Sequence, residues 1–111
     1  MSDGLPAEPF DVDLEVRGQE LWVLPTGDLD IGSAPELQES LGLALRSDAS
    51  AVVVDLRGID LLDSTGLRVL LEAALGPDGK RVSFVRGGER VETVLRVSGL
   101  SDKLPFREPE D

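Results

Sequence analysis

The 111-residue chain has no cysteine and no histidine. Disulfides, thiolate nucleophiles, the usual zinc clusters and every histidine-based triad are therefore excluded, and most familiar hydrolase chemistry goes with them. Long hydrophobic runs are missing too: the longest apolar stretches fall far short of the roughly 20 residues that a membrane span needs. The opening MSDGLPAEPF has neither a basic flank nor an apolar signal core, so the expectation is a cytoplasmic protein with no membrane contact. Basic residues are scarce, 11 against 22 acidic ones. That balance opposes direct binding to nucleic acid or anionic lipid; it suits a partner with a basic surface, and it serves solubility equally well.

The length fits one domain with a core of its own. Residues 1–9 contain Gly4, Pro6 and Pro9 without periodicity and read as a flexible N-terminal arm. From Phe10, the apolar Phe10, Val12, Leu14 and Val16 alternate with Asp11, Asp13, Glu15 and Arg17, a period of two that predicts a half-buried strand. Gly18 turns the chain, and the apolar run over residues 19–25 predicts the second arm of an antiparallel hairpin. Trp22, the only tryptophan, reads as core or sheet-face packing. Ser33 is placed to cap a helix over residues 34–45, with Pro35 and Glu36 in its first turn.

Residues 51–56, AVVVDL, have the continuous apolar character of a central strand covered on both faces. Leu67, Leu70, Leu71 and Ala74 then repeat at helical spacing up to Gly76. A short strand over residues 81–85 and a third amphipathic helix from Glu89 to about Gly99 follow, and KLPF adds a short edge segment before the acidic tail at residues 107–111. Strands alternating with helices predict a single α/β domain over residues 10–106: a mixed sheet of about four to five strands packed with three or more helices. Sites in such sheets gather beyond the carboxyl ends of the strands. Two stretches qualify as loops there, TGDLD after the second strand and GIDLLDSTG after the central one.

In the second of these, Asp63, Ser64, Thr65 and Gly66 join an apolar run to a helical one. A helix starting near Thr65 exposes backbone NH groups and the positive end of its dipole to Asp63 and Ser64, and capping alone is a sufficient explanation for Ser64. The reciprocal capping box is absent, because Leu67 stands where Glu or Gln would be required.

Taken in order, GDLD after the second strand, a helix entered through SAPEL, the strand VVVDL, DSTGL opening a helix and VLRVSGL near the C terminus resemble the STAS family, specifically bacterial anti-sigma factor antagonists. The resemblance spans about residues 10–106. It implies a STAS-like domain whose phosphoacceptor, the hydroxyl residue directly after the motif's aspartate, is Ser64. By the same resemblance Asp28, Asp30, Asp63, Thr65 and Gly66 belong to the partner-binding surface, with Gly66 admitting a close approach by the partner's backbone. Asp28 and Asp30 also have a simpler explanation as a polar turn after Gly27. Arg68 departs from the small residue the family often has after the leucine.

The implied partner is an anti-sigma factor that is also a serine kinase and brings its own ATP and Mg²⁺, with a phosphatase to reverse the modification; the chain itself is no enzyme and carries no cofactor. Unphosphorylated, it would bind the anti-sigma factor and free the sigma factor for transcription; phosphorylated, it would let go. Two scaffold functions share the same fold: a non-switching subunit of a lipid-transport ATPase complex and a stressosome-type assembly. An enzyme built on Asp28, Asp30 and Asp63 is the weakest alternative, because no second catalytic group accompanies them.

Overall fold

Strand β1 (Asp11–Arg17) and strand β2 (Glu20–Leu29) form an antiparallel hairpin in which Arg17 pairs with Glu20 across a two-residue turn. Gly18 in that turn has φ +63°, while no residue other than glycine has a positive φ among the described residues. Positive φ at the first central position alone is the pattern of a type II′ turn, whose twist suits a hairpin. The computed structural model describes residues 9–109, so most of the N-terminal arm (residues 1–8) and the end of the acidic tail (residues 110 and 111) lie outside the described residues.

Helix α1 (Ala34–Leu45), strand β3 (Ala51–Asp55), strand β4 (Ile59–Leu62), helix α2 (Ser64–Leu75), strand β5 (Val82–Val85), helix α3 (Glu89–Val97) and strand β6 (Phe106–Arg107) complete the chain. The sheet order is β1-β2-β3-β5-β6, with β4 pairing β2; β1–β2 is antiparallel and the other pairings are parallel. The domain is thus the expected mixed sheet with three helices.

The strand not predicted is β4. Both stretches read as loops are partly sheet: β2 continues through Gly27, Asp28 and Leu29, and there it pairs with Ile59, Leu61 and Leu62. β3 pairs with the first half of β2, a 3₁₀ turn at Leu56–Gly58 interrupts, and β4 resumes against the second half. The register shifts between Gly27 and Asp28, where Gly27 has φ +96°. A side chain at Gly27 would also strike the Pro9 carbonyl at 2.5 Å, so only glycine fits this bulge.

All three helices contribute to one core, which takes in Leu37 and Leu41 from α1, Leu67 and Leu70 from α2, and Val91 and Leu95 from α3. Val52, Val54 and Phe84 face it, whereas Val53 points the other way, into a small cluster with Trp22 and Val85 that contains no helix residue. β3 is central and buried on both faces as expected, but side chains rather than helices close its second face. Trp22 is fully buried there, with the Arg17 guanidinium 4.0 Å from its ring centroid and its indole NH donating to Glu20.

The alternation in β1 overstates its burial. Phe10 and Val12 pack on the core, but Leu14 is 42% and Val16 74% exposed. β1 is an edge strand, and at its Val16 end α1 has already finished; residues 47–50, with small side chains, run past instead and leave a groove of about 310 Å³. No helix among the described residues is long and apolar enough to cross a membrane.

Candidate functional site

Because β2 and β4 run parallel and in register at Asp28–Leu61 and Leu29–Leu62, the residues that follow each strand emerge side by side. Asp30 and the turn into α1 leave one strand; Asp63 and the first turn of α2 leave the other. Topology therefore assembles the two stretches that the sequence separates by more than thirty positions.

Asp63 has extended backbone (φ −105°, ψ −178°) and is the N-cap of α2, its Oδ1 accepting the Gly66 NH at 2.9 Å. The expected cap, Ser64, is instead the first helical residue. The physical reason is reach: a cap side chain must meet the NH group two or three positions on, and Asp63 meets that of Gly66. Ser64 is exposed, and no hydrogen bond among the described residues uses its hydroxyl. Capping, which would have accounted for Ser64, is performed by its neighbour.

The second oxygen of Asp63 accepts the Ile31 NH at 3.1 Å, and the Asp63 NH donates to the Leu29 carbonyl at 3.1 Å. One residue thus ties α2 to the end of β2 and to the turn beyond it. Gly66 belongs to the same junction. It is buried, and a Cβ there would sit 2.6 Å from Leu29 Cγ and 2.9 Å from the Leu29 carbonyl oxygen. A close approach that requires glycine is thus present within the chain itself, with Leu29.

Asp30 closes the turn into α1: its Oδ1 accepts the NH groups of Gly32 at 3.0 Å and Ser33 at 3.2 Å. Ser33 occupies the N-cap position as expected but makes no side-chain cap; its hydroxyl donates to the Asp28 carbonyl at 2.7 Å and accepts the Asp30 NH at 2.9 Å. Asp28 lies within β2, half-buried, with no hydrogen bond to its carboxylate among the described residues. Thr65 is half-buried and lines a groove of about 330 Å³ between α1 and α2, together with Ile31, Pro35 and Arg68.

Asp28, Asp30, Asp63, Ser64 and Thr65 therefore share one end of the sheet, while Gly66 lies beneath them. The three carboxylates do not converge on a common point. Both oxygens of Asp63 and one of Asp30 are taken by backbone NH groups, and no group of three acidic side chains among the described residues is arranged to hold a metal ion. The arrangement offers an exposed hydroxyl on a rigid helix end, flanked by acids.

Two apolar side chains join this surface that sequence reasoning missed. Ile31 is 74% exposed beside the Asp63 carboxylate, and Leu61 is 47% exposed at the end of β4. Leu61 could have been found only by recognising IDLL as a strand; Ile31, between Asp30 and Gly32, belongs to no period at all.

Comparison with known proteins bears on this surface. The family described as Mlab, STAS domain matches residues 12–106. An anti-sigma-B factor antagonist of Staphylococcus epidermidis is 30% identical over 84 residues, 74% of this chain and 78% of that protein. The crystal structure of an anti-sigma factor antagonist from Mycobacterium paratuberculosis is similar with a TM-score of 0.79 at 24% identity, covering 92% of this chain and 87% of that one. The Bacillus cell fate determinant SpoIIAA in its phosphorylated form is similar with a TM-score of 0.64 at 14% identity, covering 93% of each chain. At these identities the two structures establish the fold alone.

Proposed function

Because the chain belongs to the STAS domain family, we propose that it is an anti-sigma factor antagonist whose partner is an anti-sigma factor with serine kinase activity, and that phosphorylation of Ser64 releases that partner. The observation that carries this reading is the Ser64 hydroxyl itself, exposed at the first turn of α2 and relieved of capping by Asp63. The Staphylococcus relative bears the name of such an antagonist, and SpoIIAA exists in a phosphorylated form.

The chemistry asks little of this chain. The Ser64 oxygen attacks the γ-phosphoryl group of ATP, its proton passes to a base on the kinase, and ADP leaves; Mg²⁺ and the positioning groups come with the kinase. This chain is the substrate and performs no catalysis. Its contribution is a hydroxyl held on a helix end that Asp63 pins at three backbone atoms. Ile31 and Leu61 supply apolar contact area beside it, and the formal net charge of −11 favours a basic partner surface.

A phosphoserine adds about −1.5 to −2 charges at neutral pH. Next to Asp28, Asp30 and Asp63 it makes the contact surface strongly acidic, and like charges pressed together at an interface cost several kcal/mol. The partner is released while the fold persists, and a phosphatase resets the switch. On this reading residues 10–106 are the binding domain, acting in the cytoplasm with no direct contact to nucleic acid.

The test is incubation with candidate anti-sigma kinases and ATP, followed by intact-mass measurement and phosphopeptide mapping. A gain of one phosphoryl group, located on Ser64 and absent from Ser64→Ala, is the expected result. Phosphate on Thr65, with Ser64→Ala still fully modified, overturns the assignment.

A further inference from the structure

Arg68 stands four residues after Ser64 on α2, so the two side chains share one helix face, with Cβ atoms about 5–6 Å apart. Arg68 is exposed and makes no ion pair or hydrogen bond among the described residues. Glu72, one further turn along, is the competing partner on the same face. It too is unpaired, and an anion on the C-terminal side of its cation is the weaker orientation for such a pair. An anion at position 64 stands on the favoured side.

Resting on the assignment of Ser64 as phosphoacceptor, we propose that Arg68 is the intramolecular partner of the Ser64 phosphate and so sets how much of its charge the anti-sigma factor meets. A guanidinium presents a planar fork of donors that matches two phosphate oxygens at once. The other charges on the ends of β2 and β4 and along α2 are acidic, namely Asp28, Asp30, Asp63 and Glu72, while Arg90 of α3 lies beside Leu61 and Leu62 on the far side of β4. These acids push the phosphate toward its monoanion, and Arg68 opposes them.

The experiment installs phosphoserine at position 64 during translation, so that no kinase is needed, and follows the phosphate by ³¹P NMR titration at physiological ionic strength. In the phosphorylated wild-type protein the second phosphate pKa is expected to lie lower than in Arg68→Gln by about 0.3 pH unit. Arg68→Lys, which keeps the charge but loses the fork, gives a smaller shift. Lys80→Gln removes an equal charge from the exposed turn beyond the far end of α2 and should titrate like wild type. Equal pKa values in wild type and Arg68→Gln overturn the pairing, as does an equal shift in Lys80→Gln, which marks a general field effect. Kinase mapping that places the phosphate elsewhere defeats the assignment of Ser64 instead, and the titration separates the two failures.

Discussion

The Asp63 carboxylate accepts the Ile31 NH with one oxygen, at 3.1 Å, and the Gly66 NH with the other, at 2.9 Å. A single side chain is thus both the cap of α2 and the clasp that holds the β2–α1 turn beside Ser64. The surface around Ser64 depends on it.

Asp63→Ala should cost about 2 kcal/mol, from a lost cap of about 1 kcal/mol and a lost hydrogen bond of similar size. Asp63→Asn retains one acceptor oxygen and should lose about half as much. Chemical denaturation measures the sum, and hydrogen exchange locates it: the Ile31 and Gly66 amides should both exchange faster in the alanine variant. Unchanged protection at Ile31 would show that the clasp contributes nothing.

Ser64→Ala should leave stability within about 0.5 kcal/mol of wild type, since the hydroxyl makes no hydrogen bond among the described residues. Ser64→Asp should also fold, as an acid suits the first turn of a helix, yet on the proposed function it should bind the anti-sigma factor more weakly. Circular dichroism checks the first expectation and calorimetry the second. A stability loss of about 1 kcal/mol or more in Ser64→Ala would mean that Ser64 caps after all.

Gly66→Ala drives a methyl group into Leu29 Cγ and the Leu29 carbonyl oxygen, and overpacking of this kind costs about 1–3 kcal/mol. Adding Leu29→Ala removes the side-chain clash but not the one with backbone, so the double variant should not regain what the glycine change lost. Wild-type thermal stability in Gly66→Ala would contradict the packing described.

Asp30→Asn keeps an oxygen to accept the Gly32 and Ser33 NH groups, so the turn should survive with stability changed by less than about 0.5 kcal/mol. The charge is gone, however, and on the proposed function phosphorylation or partner affinity should fall. Wild-type phosphorylation and affinity in the folded variant would leave Asp30 with its turn role alone.

Burial pushes the Asp55 carboxyl up, but the side-chain and backbone hydrogen bonds from Arg57, and its charge, outweigh burial and hold it below the ordinary value of 3.8. Since the folded-state pKa is the lower one, the stabilisation is complete above about pH 3.8 and is lost as the pH falls through the folded value. Asp55→Asn should therefore be less stable than wild type at neutral pH by about 1–2 kcal/mol, with the gap closing in acid. Denaturation midpoints from pH 7 down to about pH 3 test this; a gap independent of pH would place the loss in packing.

Local patterning in the sequence determined most of the elements. The period of two from Phe10, the apolar run of β3 and the helical repeats of α1, α2 and α3 are each properties of a few consecutive residues, because strand pleat and helix pitch impose their spacing directly on the chain. The Asp-Ser-Thr-Gly junction was legible as a place where a helix begins. What the sequence left open was which residue does what there. Asp63 and Ser64 are both good cap formers, and the choice fell to Asp63, whose carboxylate also meets a backbone NH 32 positions away at Ile31. β4 was illegible for the same reason: IDLL has no period of its own and becomes a strand only because the bulge at Gly27 carries β2 alongside it. Gly66, assigned by resemblance to an outside partner, meets Leu29 from the opposite side of the junction. Each of these is a contact between chain segments distant in sequence, and such contacts are decided by packing, which no local pattern encodes.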